Sequence, residues 1–285
     1  MPTGMVISPH ADDCAAFCGA TAAKFAAQGW NMVLVRVTDD CKDSVGLTLE
    51  ETKKRNAADL RAAARHLGVA EIVELGYETD GLADVSLVTL RERMVYLFRK
   101  YQPYAVFSFD PFGLYEDNMD HVRVAQAVYE ALWVSAFDLH HPEHFREGLA
   151  PFCVCERWFF AREFVKANYA EDVTEFIGKK IDAMNAHREM IKNMLNRYVL
   201  QLRTWGKRVP LLEGAKNDPR GLLEAFLTEQ AKAVAAEFKL GDGRLAEKFR
   251  LERFGDLEGL FQLFSEPIPG APPPVHRPGL DAPKK

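Results

Sequence analysis

The 285-residue chain has no apolar run near the ~18 residues that a membrane-spanning helix needs, which excludes a helical membrane protein. It has no excess of positive charge. At a formal −5 it is not built as a general nucleic-acid surface. Its five cysteines are an odd number without a disulfide-like framework. Cys14 and Cys18 lie four apart, Cys153 and Cys155 alternate, and neither pair has C-x-x-C spacing, so reduced, buried thiols are expected. The start lacks a basic segment followed by a signal-like apolar core, and a cytoplasmic protein is expected. No G-x-G-x-x-G follows the first strand, so the dinucleotide fingerprint is missing. No internal repeat is visible.

What is present is an ordinary globular composition, 48% hydrophobic and 27% charged, long enough for a sizeable core. Strand and helix patterns alternate. Strands are predicted over 4–8, 32–37, 71–75, 104–109 and 152–160. Helices are predicted over 15–28, 49–67, 88–101 and 121–137, the first two stopped by Gly29 and Gly68. This order implies right-handed βαβ units: an α/β, Rossmann-like, mainly parallel sheet with flanking helices. A long helix over 173–203, whole or broken, and another over 221–238 read as a C-terminal helical extension of one domain, 1–265. From Glu266 onward the chain is proline-rich and aperiodic, and a flexible tail over 266–285 is expected.

His10-Ala11-Asp12-Asp13 follows the apolar run Met5-Val6-Ile7 and precedes a small-residue helix. It places an imidazole and two carboxylates at a strand-to-helix turn, where open α/β sheets collect ligands. Asp117-Asn118-Met119-Asp120-His121 follows a later strand. A catalytic zinc takes three protein ligands and keeps a position for water, and His10, Asp13 and His121 make such a set. Iron or manganese suits the same donors. Asp12 diverges from Asp13 and is the expected general base, both being favoured as anions by the helix N-terminus. Asp39 to Asp43 form a polar loop at the same sheet edge, where Asp40 is a candidate substrate contact and a solvated loop is the alternative. Tyr115 and Glu116, just before the second cluster, are further candidate contacts with the same alternative.

These motifs resemble the PIG-L (LmbE-like) metal-dependent deacetylase family over roughly residues 4 to 190. Ser8-Pro9-His10-Ala11-Asp12-Asp13-Cys14 is similar to its PHPDDE motif, and Asn118-Met119-Asp120-His121 to its HPDH motif. Leu75 to Leu82 is similar to its DG.L loop, which brings in Asp80. Lys180 to His187 is similar to its K..A...H helix, which brings in His187. Cys14 and the stretch Asp110 to Glu116 look most like the diacetylchitobiose deacetylase branch. The resemblance implies zinc-dependent removal of an N-acetyl group from an amino sugar or related small molecule. His10, Asp13 and His121 would be ligands, Asp12 the base, and Asp120 would orient a ligand. It also makes a homo-oligomer plausible.

Several positions depart from the pattern. The first His of HPDH is Asn118, whose amide can donate to an oxyanion but cannot deliver a proton. Ala11 and Met119 replace prolines, and Cys14 a glutamate. The Arg and Glu of the second helix correspond approximately to Asn56 (or Arg55) and Asp59, so Arg55 is a further candidate contact. Two other readings follow. One is a metal-dependent hydratase or lyase on an unsaturated acid, using Arg55, Lys42 and Arg123 as a cationic pocket. The other is a decayed metal-binding protein.

Overall fold

A computed structural model of the chain describes residues 1–215, 218–278 and 280–281. Apolar, β-branched runs form the strands β1 (Thr3–Ser8), β2 (Asn31–Thr38), β3 (Glu71–Tyr77), β4 (Ala105–Phe109) and β5 (Glu156–Phe160). All five are parallel, in the order β3-β2-β1-β4-β5. The near-continuous burial of β1, β2 and β4 is what a sheet covered on both faces requires. Alternate side chains divide between two layers. Val6, Leu34, Phe107 and Trp158 face α1 (Gly19–Ala27), α2 (Leu49–Leu67) and, later in the chain, α5 (Ile177–Ala186) and α6 (Arg188–Thr204). Met5, Val33, Val106 and Phe159 face α3 (Leu87–Tyr101) and α4 (Met119–Val134). The helix α2 has the predicted bounds, set by a Thr48–Glu51 capping box and by Gly68 at φ +71°.

Four details differ from expectation. The first helix opens with a π-turn over Cys14–Cys18 before α1 begins. The helix predicted over 173–203 begins only at Ile177, and its break into α5 and α6 falls at His187 (φ −80°, ψ 64°). The C-terminal part, with α7 (Pro210–Gly214) and α8 (Arg220–Glu237), also supplies β6 (Tyr169–Asp172) and β7 (Ala246–Glu252). These pair antiparallel, and β7 joins β5, completing a seven-stranded sheet in the order β3-β2-β1-β4-β5-β7-β6. Finally, the stretch expected to be a flexible tail follows α9 (Glu258–Phe264) and returns to the body. Val275 and Leu280 pack on the first core layer and Arg277 is buried. Of the cysteines, Cys14, Cys18 and Cys41 are buried as expected, while Cys153 is exposed. No described helix is long and apolar enough to cross a membrane.

Candidate metal centre and active site

The strand order reverses between β1 and β4, and the crevice at such a switch point is where parallel sheets bind ligands. His10 to Asp13 leave the carboxyl end of β1 there. The loop after β4 brings in Glu116 to His121, with Asn118 as N-cap of α4. One ligand atom each from His10, Asp13 and His121 lies within 4.8 Å of the others. His10 Nδ1 is 3.0 Å from His121 Nε2 and 3.6 Å from Asp13 Oδ2, and His121 Nε2 is 3.4 Å from Asp13 Oδ1. All three residues are buried. The His10 backbone N–H donates to Asp13 Oδ2 at 2.7 Å, and the His121 ring stacks on Phe109 at 4.1 Å between centres. Two imidazoles and a carboxylate at this spacing fit a divalent cation with a coordination position left over.

Each imidazole has a carboxylate on its far nitrogen. His10 Nε2 is 3.3 Å from Asp120 Oδ2, whose carboxylate also accepts the Asp80 and Leu82 backbone N–H groups at 2.7 and 3.2 Å. His121 Nδ1 is 3.0 Å from Glu116 Oε2, off the line of a well-aligned hydrogen bond. Glu116 in turn accepts from Asn118 N–H at 3.0 Å and from Arg162 Nε at 3.1 and 3.3 Å. Carboxylates so placed keep protons on the outer nitrogens and lone pairs on the inner ones. Burial alone would depress the His10 pKa, but Asp120 and Asp13 hold it well above the usual histidine value. Burial likewise opposes ionisation of Asp13, Asp120 and Glu116, yet their histidine partners and backbone N–H groups keep all three below the carboxylate range. The sequence reading singled out Asp120 for this orienting role and missed it for Glu116.

Asp12 behaves differently from its neighbour. Its carboxylate has no hydrogen-bond partner among the described residues, and burial with the adjacent Asp13 charge pushes it up to about 8. The expected helix-dipole stabilisation of its anion is therefore outweighed. A π-turn, not a regular first turn, follows it, and a like charge sits beside it. A cation held by His10, Asp13 and His121 would draw this value down. Asn118 caps α4, its Oδ1 accepting the Asp120 N–H at 2.9 Å, so its amide N–H₂ remains free among the described residues.

The other candidate contacts are distributed unevenly. Asp40 is fully buried, held at φ +55°, and engaged with Arg36 at 2.9 Å and the Thr38 hydroxyl at 3.2 Å. It is part of the floor and not an open contact, and burial lifts its carboxyl to about 7. Arg55 is exposed and paired with Glu189 at 2.9 Å. Asp80 is exposed and gives its backbone N–H to Asp120. Tyr115, at φ +58°, is 83% exposed. His187 is completely buried, neither ring nitrogen has a hydrogen-bond partner, and burial pushes its pKa down to about 4. Asp43, named from sequence within the 39–43 polar loop, faces the same chamber, with one buried carboxylate oxygen unpartnered.

Residues 5–132 match the family model described as PIG-L, GlcNAc-PI de-N-acetylase. This segment belongs to the PIG-L family. A diacetylchitobiose deacetylase from Thermococcus kodakarensis is 26% identical over 185 residues, 64% of this chain and 68% of that protein. The N,N′-diacetylchitobiose deacetylase structure from Pyrococcus horikoshii superposes with a TM-score of 0.69 at 23% identity, covering 91% of this chain and 85% of that one. GalB, the 4-carboxy-2-hydroxymuconate hydratase of Pseudomonas putida KT2440, superposes with a TM-score of 0.64 at 16% identity, covering 88% and 96%. At these identities the solved structures show a shared fold.

Proposed function

We propose that the chain is a zinc-dependent N-deacetylase that hydrolyses the acetamide of an amino sugar or related small molecule. The observation that carries this reading is the convergence of His10, Asp13 and His121 beside an unpaired carboxylate, Asp12. When bound, the metal polarises the amide carbonyl and acidifies the attacking water. Asp12, its anion favoured once a cation is held beside it, takes the proton from that water and becomes the neutral acid. The free N–H₂ of Asn118 donates to the oxygen that gains negative charge. Asn118 has no proton to give the departing amine, so Asp12 returns the one it accepted. Asp120 and Glu116 hold the two imidazoles in the ligating orientation.

The hydratase reading needs free cations for a carboxylate substrate, and its three candidates are engaged. Arg55 pairs with Glu189, Lys42 with Glu78 at 2.9 Å and the Thr79 carbonyl, and Arg123 with the Leu82 and Val85 carbonyls. The chamber itself is acidic, through Asp12, Asp13, Asp43 and Asp120. This favours a neutral substrate whose product is an ammonium ion. The test is acetate release from N-acetylglucosamine, N,N′-diacetylchitobiose and other N-acetylated amino sugars by zinc-loaded protein. Asp12→Asn serves as control, with release expected to drop by roughly 10²–10⁴-fold. Stoichiometric zinc with no release from any of these substrates would overturn the proposal for that class.

A further inference from the structure

Glu156 opens β5 at the end of the sheet opposite the metal centre, and its side chain is completely buried. Phe25 near the end of α1, Trp30 just before β2 and Trp158 on β5 close around it. The Phe25 ring centre lies 4.6 Å from Trp30 and 5.5 Å from Trp158. Trp158 Nε1 donates to Glu156 Oε2 at 3.0 Å. These groups all belong to the core of the fold, and together they form a three-walled aromatic slot with a carboxylate at its base. Arg277 fills it. Its Nε donates to both Glu156 oxygens at 3.0 and 3.1 Å and its Nη2 to Oε2 at 2.8 Å. The guanidinium carbon sits 4.7 Å from the Phe25 ring centre, 4.8 Å from Trp158 and 5.6 Å from Trp30.

A planar fork that binds a carboxylate bidentately while stacking on rings is a property of guanidinium that an ammonium lacks. Among the described residues from 266 to 281, Arg277 alone is buried; residues 266–274 are exposed throughout. We propose that Phe25, Trp30, Trp158 and Glu156 form a guanidinium-binding site whose resident ligand is Arg277, so that the C-terminal segment is a strap held in cis. The proline-rich stretch between α9 and Arg277 is the tether. It gives this one guanidinium an effective concentration on the order of millimolar at the slot. The site takes an arginine side chain or an alkylguanidinium, and withdrawing that ligand leaves Glu156 buried without a counter-charge.

The test is made on the full-length chain. Arg277→Ala is expected to melt roughly 5 °C or more below wild type, since it strands a buried carboxylate. Ethylguanidinium at about 10 mM is expected to restore part of that loss saturably in Arg277→Ala and to leave wild type, whose site is already filled, unchanged. Ethylammonium is expected to do much less. The Glu156→Gln/Arg277→Ala pair is expected to show no response to either. Equal effects of ethylguanidinium on all three proteins would overturn the site, as would an Arg277→Ala protein that melts like wild type. Should Arg277→Ala fail to fold, Arg277→Lys keeps the charge and gives a second measurement. A broad-specificity protease is then expected to remove the segment beyond Ser265 at least several-fold faster than in wild type, with the remainder intact, and unchanged cleavage would overturn the strap.

Discussion

Glu116 and Asp120 stand behind different imidazoles and are reached from the same loop, but only one of them lies inside a recognisable motif. If Glu116 fixes the His121 ring, Glu116→Gln, which keeps size and loses charge, should weaken zinc binding by roughly 10–100-fold in competition with a chromogenic chelator. The melting temperature of chelator-treated protein should change little, because Glu116 lies at a half-buried loop position and keeps Arg162 and Asn118 within hydrogen-bonding reach. Unaltered zinc affinity would show that Phe109 stacking alone orients the ring. His187 gives a prediction of another kind. Its folded pKa, near 4, lies below the ordinary 6.5, so the folded chain refuses a proton that the unfolded chain accepts. Its stabilising contribution is therefore whole above pH 6.5 and drains away as pH falls toward 4, by about 3 kcal/mol in all. His187→Leu should remove that limb from a plot of stability against pH. At pH 7 it should be neutral or stabilising, since two buried nitrogens without partners are replaced by carbon. Denaturant melts at pH 7 and 4.5 decide the matter, and a variant as acid-sensitive as wild type would contradict it.

At the scale of elements, Asn118 does two things at once, capping α4 through its oxygen and presenting a free amide. Aspartate caps as well as asparagine but cannot donate. Asn118→Asp should thus melt within a degree or two of wild type while acetate release falls by roughly 10²–10³-fold, the cost of a lost oxyanion donor. Equal loss of stability and activity would mean that the cap is all the residue supplies. How much of these elements the residues announced depended on how local their causes were. The helix α2 was legible because its apolar spacing is regular and Gly68 is a stop signal at its end. The buried runs of β1 and β4 announced the crevice, and with it His10, Asp13 and His121. The strands β6 and β7 were not legible. Glu-Lys-Phe-Arg-Leu-Glu alternates with charges beside a long helix, and its identity comes from pairing with Tyr169–Asp172 and with β5. The break at His187 was blurred because apolar spacing continues across it, through Met184 to Met190 and Ile191. Glu116 stood out only as a candidate substrate contact, and its place behind His121 exists only once that loop folds back over β4. Arg277 was hidden for the same reason: its partners lie about 120 to 250 positions earlier in the chain.

Across the whole molecule, folding gathers Asp12, Asp13, Asp40, Asp43 and Asp120 around two histidines, and not all of these carboxylates can be comfortably ionised. Burial and mutual repulsion push Asp12 to about 8 and Asp40 to about 7, and raise Asp43. Among the described residues only Asp40 has an arginine within reach, Arg36 at 2.9 Å. A divalent cation between His10, Asp13 and His121 offsets that repulsion in the folded chain and finds no preformed site in the unfolded one. Zinc should therefore raise the melting temperature, by roughly 2.7 kcal/mol of stability at a hundredfold excess over its dissociation constant. For a chain of this length that is a shift of roughly 4–5 °C. The shift should grow from pH 6 to pH 8, because protons compete with the metal for ligands and His10 holds its proton to a higher pH than an ordinary histidine. Asp13→Asn should abolish the shift, while Asp40→Asn, which removes a carboxylate from the floor but no ligand, should keep it. Melting curves with and without zinc at the two pH values test both halves of this. A shift that survives in Asp13→Asn would place the stabilising cation somewhere other than the crevice between β1 and β4.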